Sequence, residues 1–274
     1  MATDNNNPFV FRALVVFVIC CGVFLLLLTR FSHIAATFDN HPPHPLIFSA
    51  ARNGSVKDVR YFVVRGGNVN QNDDGGTPLI LWAIHNHDIE VMKYLIENGI
   101  DVNAKNRDGD MALHLAITIN SNTDVHKILI DHGADVNAKD SYGWTPLHRV
   151  LIWNFDFDVM KSIIDKGADV NAKDNDGETP LIYALRWSTK NDLDVIKHLV
   201  DKGAEVNAKS KEGMTPLHFA AFPVSNIEIL KYLIEKGADV NALDDYGQTP
   251  LDRASNNEKR EILRNAGGKR AAEL

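Results

Sequence analysis

"GADVNAKDSYGWTPLH" occupies residues 133–148, and close copies of it return along the chain. The pair Val-Asn recurs with its asparagine at Asn70, Asn103, Asn137, Asn171, Asn207 and Asn241, at spacings of 33, 34, 34, 36 and 34. A fixed period of this size is the signature of stacked supersecondary units, none of which can bury its apolar face alone. Within each period Thr-Pro-Leu begins at Thr77, Thr145, Thr179, Thr215 and Thr249, with variants opening at Met111 and His44 in the same register. Threonine caps orphan helix amides, and proline at the first helical position gives up no needed hydrogen bond, so each phrase predicts a helix start.

About 22 residues further on comes Gly66, Gly99, Gly133, Gly167, Gly203 or Gly237, where a left-handed residue is expected to end a second helix. Eight, seven, four and three residues before the glycine the side chains are apolar, as in Val159, Met160, Ile163 and Ile164 or Ile229, Leu230, Leu233 and Ile234. That spacing predicts one buried helical stripe per unit. In one unit the stripe holds His126, expected to be a partly buried, hydrogen-bonded core histidine. Between units, "NAKDSYGWT", "NAKDNDGET", "NAKSKEGMT" and "NALDDYGQT" concentrate Asn, Asp and Gly, which predicts a projecting β-hairpin-like loop.

These residues resemble the ankyrin-repeat family, best where "SYGWTPLH" or "EGMTPLHFAA" is paired with "KGADVNA". The resemblance runs from about residue 40 to 274 and implies an all-α repeat solenoid of about seven helix-turn-helix units, near 44–72, 73–105, 106–139, 140–173, 174–209, 210–243 and 244–274. It further implies that turns and inner helices line a concave face that binds other proteins, without a catalytic site. It implies for His114, His148 and His218, one in each of three units, hydrogen bonds that join neighbouring turns. The chain departs from the family pattern at "RWSTKNDLD" (186–194), where extra residues predict an irregular helix connection. The first unit lacks its turn motif and the last is shortened after Asn256, as expected of capping units.

Composition narrows the function. The chain has 274 residues, 45% hydrophobic and 24% charged, with 29 Lys and Arg against 36 Asp and Glu. No basic stretch exceeds "GGKR", which argues against nucleic acid as a partner. The two cysteines, Cys20 and Cys21, are adjacent in an apolar run and cannot build a disulfide framework or a zinc site. They read as small apolar filler or as a site of acylation. His33, His41 and His44 lie in a Pro-containing linker and read as loop residues, not metal ligands. The recurring Asp and Asn repeat because the turn repeats, and no phosphate loop or Ser-His-Asp set accompanies them. No enzyme activity, cofactor, metal or small-molecule substrate is expected.

Ahead of the repeats, residues 1–8 form a tail and 9–28 read "FVFRALVVFVICCGVFLLLL". This is long enough to cross a bilayer as a helix, so 9–29 reads as a single-pass anchor, followed by a linker over 30–43. The competing reading is a cleaved signal with Ala35 and Ala36 near the cut. Arg12 before the segment and Arg30 after it leave its orientation undecided. The chain is thus expected to be a membrane-anchored scaffold or recruiter of a protein partner; the alternative is an exported, secreted repeat protein that inhibits a target by binding it.

Positions released from folding duties are the candidates for binding. Residues flanking the turn glycine change chemistry between units: Asp108 and Asp110, Tyr142 and Trp144, Asp176 and Glu178, Glu212 and Met214, Tyr246 and Gln248. Trp153 and Trp187 stand at equivalent places near the ends of adjacent inner helices and read either as an interface hot spot or as packing over the helix connection. The partner-binding set is therefore Tyr142, Trp144, Trp153, Asp176, Glu178, Trp187, Glu212, Met214 and Tyr246, and its mixture of acids and aromatics suits a partner with basic and apolar groups.

Overall fold

The computed structural model describes residues 46–119, 123–154, 156–187, 193–222 and 226–274, without the side chains of Leu46, Thr123, Trp153, Asn154 and Trp187. The tail, the 9–29 segment and the linker lie outside these residues. Leu46–Leu274 forms one compact unit. Its helices come in pairs, an inner then an outer one: α1 (Leu46–Asn53) and α2 (Val56–Val63), α3 (Leu79–Ala83) and α4 (Ile89–Glu97), α5 (Ala112–Thr118) and α6 (Thr123–Asp131). There follow α7 (Pro146–Arg149) and α8 (Phe157–Asp165), α9 (Pro180–Trp187) and α10 (Leu193–Asp201), α11 (Pro216–Ala220) and α12 (Ile227–Glu235), α13 (Pro250–Arg253) and α14 (Asn257–Asn265). A π-helical turn, Val150–Asn154, continues α7 into the connection before α8. Each inner helix packs on the next inner helix, α1 on α3 through α11 on α13.

The local reasons are those read from the sequence. Thr145, Thr215 and Thr249 are N-caps with proline in the first turn. Four outer helices begin on side-chain caps: Asp88 accepts from the Glu90 amide, Asp156 from those of Asp158 and Val159, Asn226 from Glu228 and Asn256 from Lys259. Gly133, with φ +85°, ends α6 in the left-handed region that a side chain rarely adopts. The predicted hairpin-like loops are tight turns: the Asp140 amide donates to the Trp144 carbonyl at 3.1 Å and the Gly143 amide to the Asp140 carbonyl at 2.9 Å. Among the described residues there are no strands, only an isolated bridge between Asn72 and Pro78.

One motif explains why Val-Asn repeats. The Asn137 amide group donates to the Gly167 carbonyl at 2.9 Å, and its oxygen accepts from the Asp169 backbone at 2.7 Å. Asn70, Asn103, Asn171, Asn207 and Asn241 make the same two bonds to the following repeat. A side chain carrying one donor and one acceptor on a short stem is what this rung requires. The result is a continuous ladder of asparagines along the solenoid. A weaker series of ion pairs runs beside it, Lys166 to Asp131, Lys202 to Asp165 and Lys236 to Asp201; these are exposed and contribute little stability.

The core is made by the inner helices, buried almost all round, and by one stripe of each outer helix. His126 departs from expectation. It is 1% exposed, buried where other units carry Met92, Met160, Ile196 and Leu230, and neither ring nitrogen has a hydrogen-bond partner. Burial holds its pKa below the ordinary histidine value, against the Ala116 backbone, which approaches the ring without good hydrogen-bond geometry, and against Asp156. An unsatisfied buried polar group costs about 1–3 kcal/mol. We therefore expect His126→Met to raise stability by about 1 kcal/mol or more, roughly 2–4 °C in the unfolding midpoint. Thermal denaturation of the two proteins checks this, and a lowered midpoint would refute it.

Candidate functional site

The turns form one edge of the solenoid, and their geometry decides which side chains a partner can meet. Asp140 divides its carboxylate between two tasks. Oδ1 accepts from the backbone amides of Tyr142 (2.8 Å) and Trp144 (2.9 Å), which closes the turn. Oδ2 accepts from Arg149 Nη2 at 2.6 Å and Nε at 3.2 Å, which fixes the turn to α7. Asp174 repeats this with the Tyr183 hydroxyl (2.7 Å), Asp73 with the Trp82 indole (3.0 Å) and Asp244 with the Arg253 Nε (2.6 Å). In every case the donor lies nine residues after the aspartate. Where the turn residue is Asn106 or Ser210, which still closes the turn, the residue nine positions on is apolar, Leu115 or Phe219.

Successive turns are joined by backbone bonds. The Ser141 amide donates to the Asp108 carbonyl, Asn175 to Tyr142, Lys211 to Asp176 and Asp245 to Glu212, all between 2.9 and 3.1 Å. Gly143 is required by this approach as well as by its φ of +78°, because a Cβ there would lie 2.6 Å from Asn175 Oδ1.

Histidines complete the joint. In His148, Nδ1 accepts from the Thr145 amide at 3.2 Å, so Nε2 carries the proton and donates to the Glu178 carbonyl of the next repeat at 3.2 Å. His218 bridges Thr215 and Gln248 of the next repeat in the same way, whereas His114 bridges Met111 and Ala138, at the end of its own unit. Burial pushes His114 down to about 3 and His148 to about 4, and it lowers His218 as well. His148 and His218 thus join neighbouring repeats, as the family resemblance implied, while the bond of His114 closes its own unit.

The sequence-chosen binding residues now separate. The residue before the turn glycine faces outward: the Asp176 side chain is 68% exposed and Tyr246 is 72% exposed, while Tyr142 and Glu212 are half-buried. The residue after the glycine turns inward, because its amide is held by the turn's Asp or Ser side chain. Trp144, Glu178 and Met214 are accordingly buried, and they serve the solenoid's own packing. Trp144 Nε1 donates to the Tyr183 hydroxyl at 2.7 Å and lies 3.3 Å from Asp174 Oδ2. Glu178 is paired with Arg186; burial pushes its carboxyl up to about 7 against the pull of Arg186, with Asp174 and Glu212 adding to the rise. The side chains of Trp153 and Trp187 lie outside the described set.

Sequence reasoning did not single out Arg149. It is 2% exposed, pairs with Asp110 of the preceding turn as well as with Asp140, and donates to Thr118 Oγ1 at 2.8 Å. Burial raises the Asp110 pKa, although Arg149 opposes the shift. A hydrogen-bonding side chain nine residues after a turn aspartate was the signal available for it.

The family model for ankyrin repeats (3 copies) matches residues 14–106, 47–140, 113–210 and 187–265. The chain belongs to the ankyrin-repeat family, whose fold is a protein-interaction fold and generally non-enzymatic. A crystal structure of the ankyrin repeat domain of Bcl-3, titled a unique member of the IkappaB protein family, superposes with a TM-score of 0.70 at 26% identity. The match covers 82% of this chain and 100% of that one. The potassium channel AKT1 of Arabidopsis thaliana is 36% identical over 61 residues, 22% of this chain and 7% of the channel.

The buried histidines set a pH dependence. His114 and His148 are neutral when folded and titrate near 6.5 when unfolded, so their full contribution is present above about pH 6.5 and is lost on acidification toward pH 4, and the lowered pKa of His218 acts in the same direction. Each contributes at most about 1.4 kcal/mol per pH unit. Glu178 acts in the opposite sense between 4.5 and about 7 and offsets roughly one histidine. Urea denaturation at pH 7, 6 and 5 should show falling stability, with a shallower slope for His148→Gln. A flat or rising profile on acidification would contradict this assignment.

Proposed function

We propose that the chain is a membrane-anchored scaffold that recruits a protein partner to the turn edge and adjoining concave face, with residues 9–29 as the anchor. The observation supporting the binding edge is the outward position before each turn glycine. Asp108, Tyr142, Asp176, Glu212 and Tyr246 occupy it in successive repeats, while the residues around them are fixed by bonds within and between turns. A rigid frame presenting acids interleaved with tyrosines, with Leu243 exposed beside Tyr246, suits a partner segment of alternating basic and apolar side chains. Support for the anchor is the composition of residues 9–28. Among the described residues no helix is long and apolar enough to cross a membrane.

Crosslinking from native membranes followed by affinity measurement tests the reading. Tyr246→Ala combined with Asp176→Lys should weaken the captured partner by about 2 kcal/mol or more while leaving the unfolding midpoint within a few degrees. Trp144→Ala instead should cost about 3–5 kcal/mol of stability, the scale of a lost core aromatic. If Tyr246→Ala and Asp176→Lys leave affinity unchanged, the binding edge lies elsewhere. The mass of the mature N-terminus tests the anchor separately: a chain beginning near Thr37 would exclude it and favour the exported form.

A further inference from the structure

The first helix pair has a character unlike the rest of the solenoid. Between Leu46 and Gly67 the chain carries Arg52, Lys57, Arg60 and Arg65 against Asp58 alone, in a protein whose net charge is −7. Lys57, Tyr61, Val64 and Arg65 follow one another at helical spacing, so they share one side of α2 and its C-terminal turn. This side is wet and partly apolar: Tyr61 is 54% exposed and Val64 67% exposed, with Lys57, Arg60 and Arg65 exposed around them. In α2 only Val59 is buried. The Arg65 guanidinium stacks 3.7 Å over the Tyr61 ring and donates to the Tyr61 carbonyl at 3.1 Å. Arg60 lies over Tyr94 of the next repeat at 5.3 Å. A capping repeat usually presents a polar outer face; this one presents an aromatic and an aliphatic side chain ringed by cations.

We propose that this side of α2 lies against an anionic lipid headgroup surface. Tyrosine suits the polar–apolar boundary, and lysine and arginine are drawn to the negative potential of anionic lipids within a Debye length of it. The charge of this side is complementary to such a surface, whereas the acidic remainder of the solenoid is repelled by it. Chain length also favours a membrane over a distant partner. Residues 29–45 separate the apolar 9–28 stretch from α1, a tether that reaches at most about 60 Å when fully extended. The inference rests on the proposed anchor for that proximity, but the surface itself needs only anionic lipid. Its consequence is an oriented solenoid, with the N-terminal repeat at the membrane and the acidic edge reaching away from it.

The test uses the full chain reconstituted in vesicles of phosphatidylcholine alone or with about one third phosphatidylserine. Hydroxyl-radical oxidation, read by mass spectrometry, reports Tyr61 exposure, and Tyr246 in the last turn is the internal control. We expect Tyr61 oxidation to fall about fivefold in the anionic vesicles relative to the neutral ones. The difference should disappear at high salt and in the Lys57→Glu/Arg65→Glu variant, with Tyr246 unchanged throughout. An unchanged far-ultraviolet circular-dichroism spectrum and unfolding midpoint show that the variant is folded. Equal Tyr61 oxidation in both vesicles overturns the proposal. Protection independent of lipid charge also overturns it, since the cover is then another part of the chain or a second copy. Alkaline extraction separates the two readings: a chain that washes off while Tyr61 remains protected by anionic vesicles removes the anchor and leaves the lipid surface, whereas a retained chain with unprotected Tyr61 does the reverse.

Discussion

The solenoid rests on turns closed by a side-chain oxygen that accepts backbone amides, which in four units belongs to a carboxylate that also holds a side chain of the inner helix. In Asp140, Asp174 and Asp244, one oxygen closes the turn by accepting two backbone amides, and the other holds a side chain nine residues further on, on the inner helix of the same unit. A turn is otherwise the most mobile part of a helix-turn-helix unit. Fixed in this way, it presents a backbone carbonyl before its glycine and a backbone amide before that at constant positions, and adjacent turns can bond to each other. The histidine of the helix start and the asparagine after the outer helix then secure the same neighbours at two further points. Because the bonds that leave a unit run to the adjacent repeat, stability accumulates unit by unit and the end units must satisfy themselves.

This arrangement also separates positions available for recognition from those that are not. About the turn glycine the chain alternates: the preceding side chain points outward, and the following one is drawn under the turn as its amide is captured. Asp176 and Tyr246 are therefore exposed, while Trp144, Glu178 and Met214 are buried. The burial of Glu178, and its pairing with Arg186, places a carboxyl with a pKa near neutrality just beneath the edge. Its titration belongs to the stability of the joint between repeats.

The period, the Thr-Pro helix starts, the terminal glycines and the apolar stripes were legible in the sequence because each depends on local chemistry or on a helical spacing. Two features were not. The pairing of a turn residue with the residue nine positions later follows no helical or strand period; it arises from the way the chain folds back from turn to helix, and it becomes visible only when Arg149, Tyr183 and Arg253 are set beside Leu115 and Phe219. The inward position of Trp144, Glu178 and Met214 was hidden for a similar reason, since residue type alone placed an indole and a carboxylate among surface candidates. His126 was expected to find a partner because buried polar groups usually do, and in this fold neither ring nitrogen meets good hydrogen-bond geometry, with only a weak contact to the Ala116 backbone.

A double-mutant cycle on Asp244 and Arg253 tests the central claim most directly, because among the described residues Asp244 Oδ2 is paired with Arg253 without a second carboxylate competing for the guanidinium. Asp244→Asn with Arg253→Leu reproduces the Asn106 and Leu115 combination already present in another repeat. Arg253→Leu alone leaves a buried charge without its partner and should cost about 3 kcal/mol, whereas the double variant should recover at least half of that loss. If the two single losses simply add, the turn residue and the residue nine positions later are independent, and the shared carboxylate is not what fixes the turns.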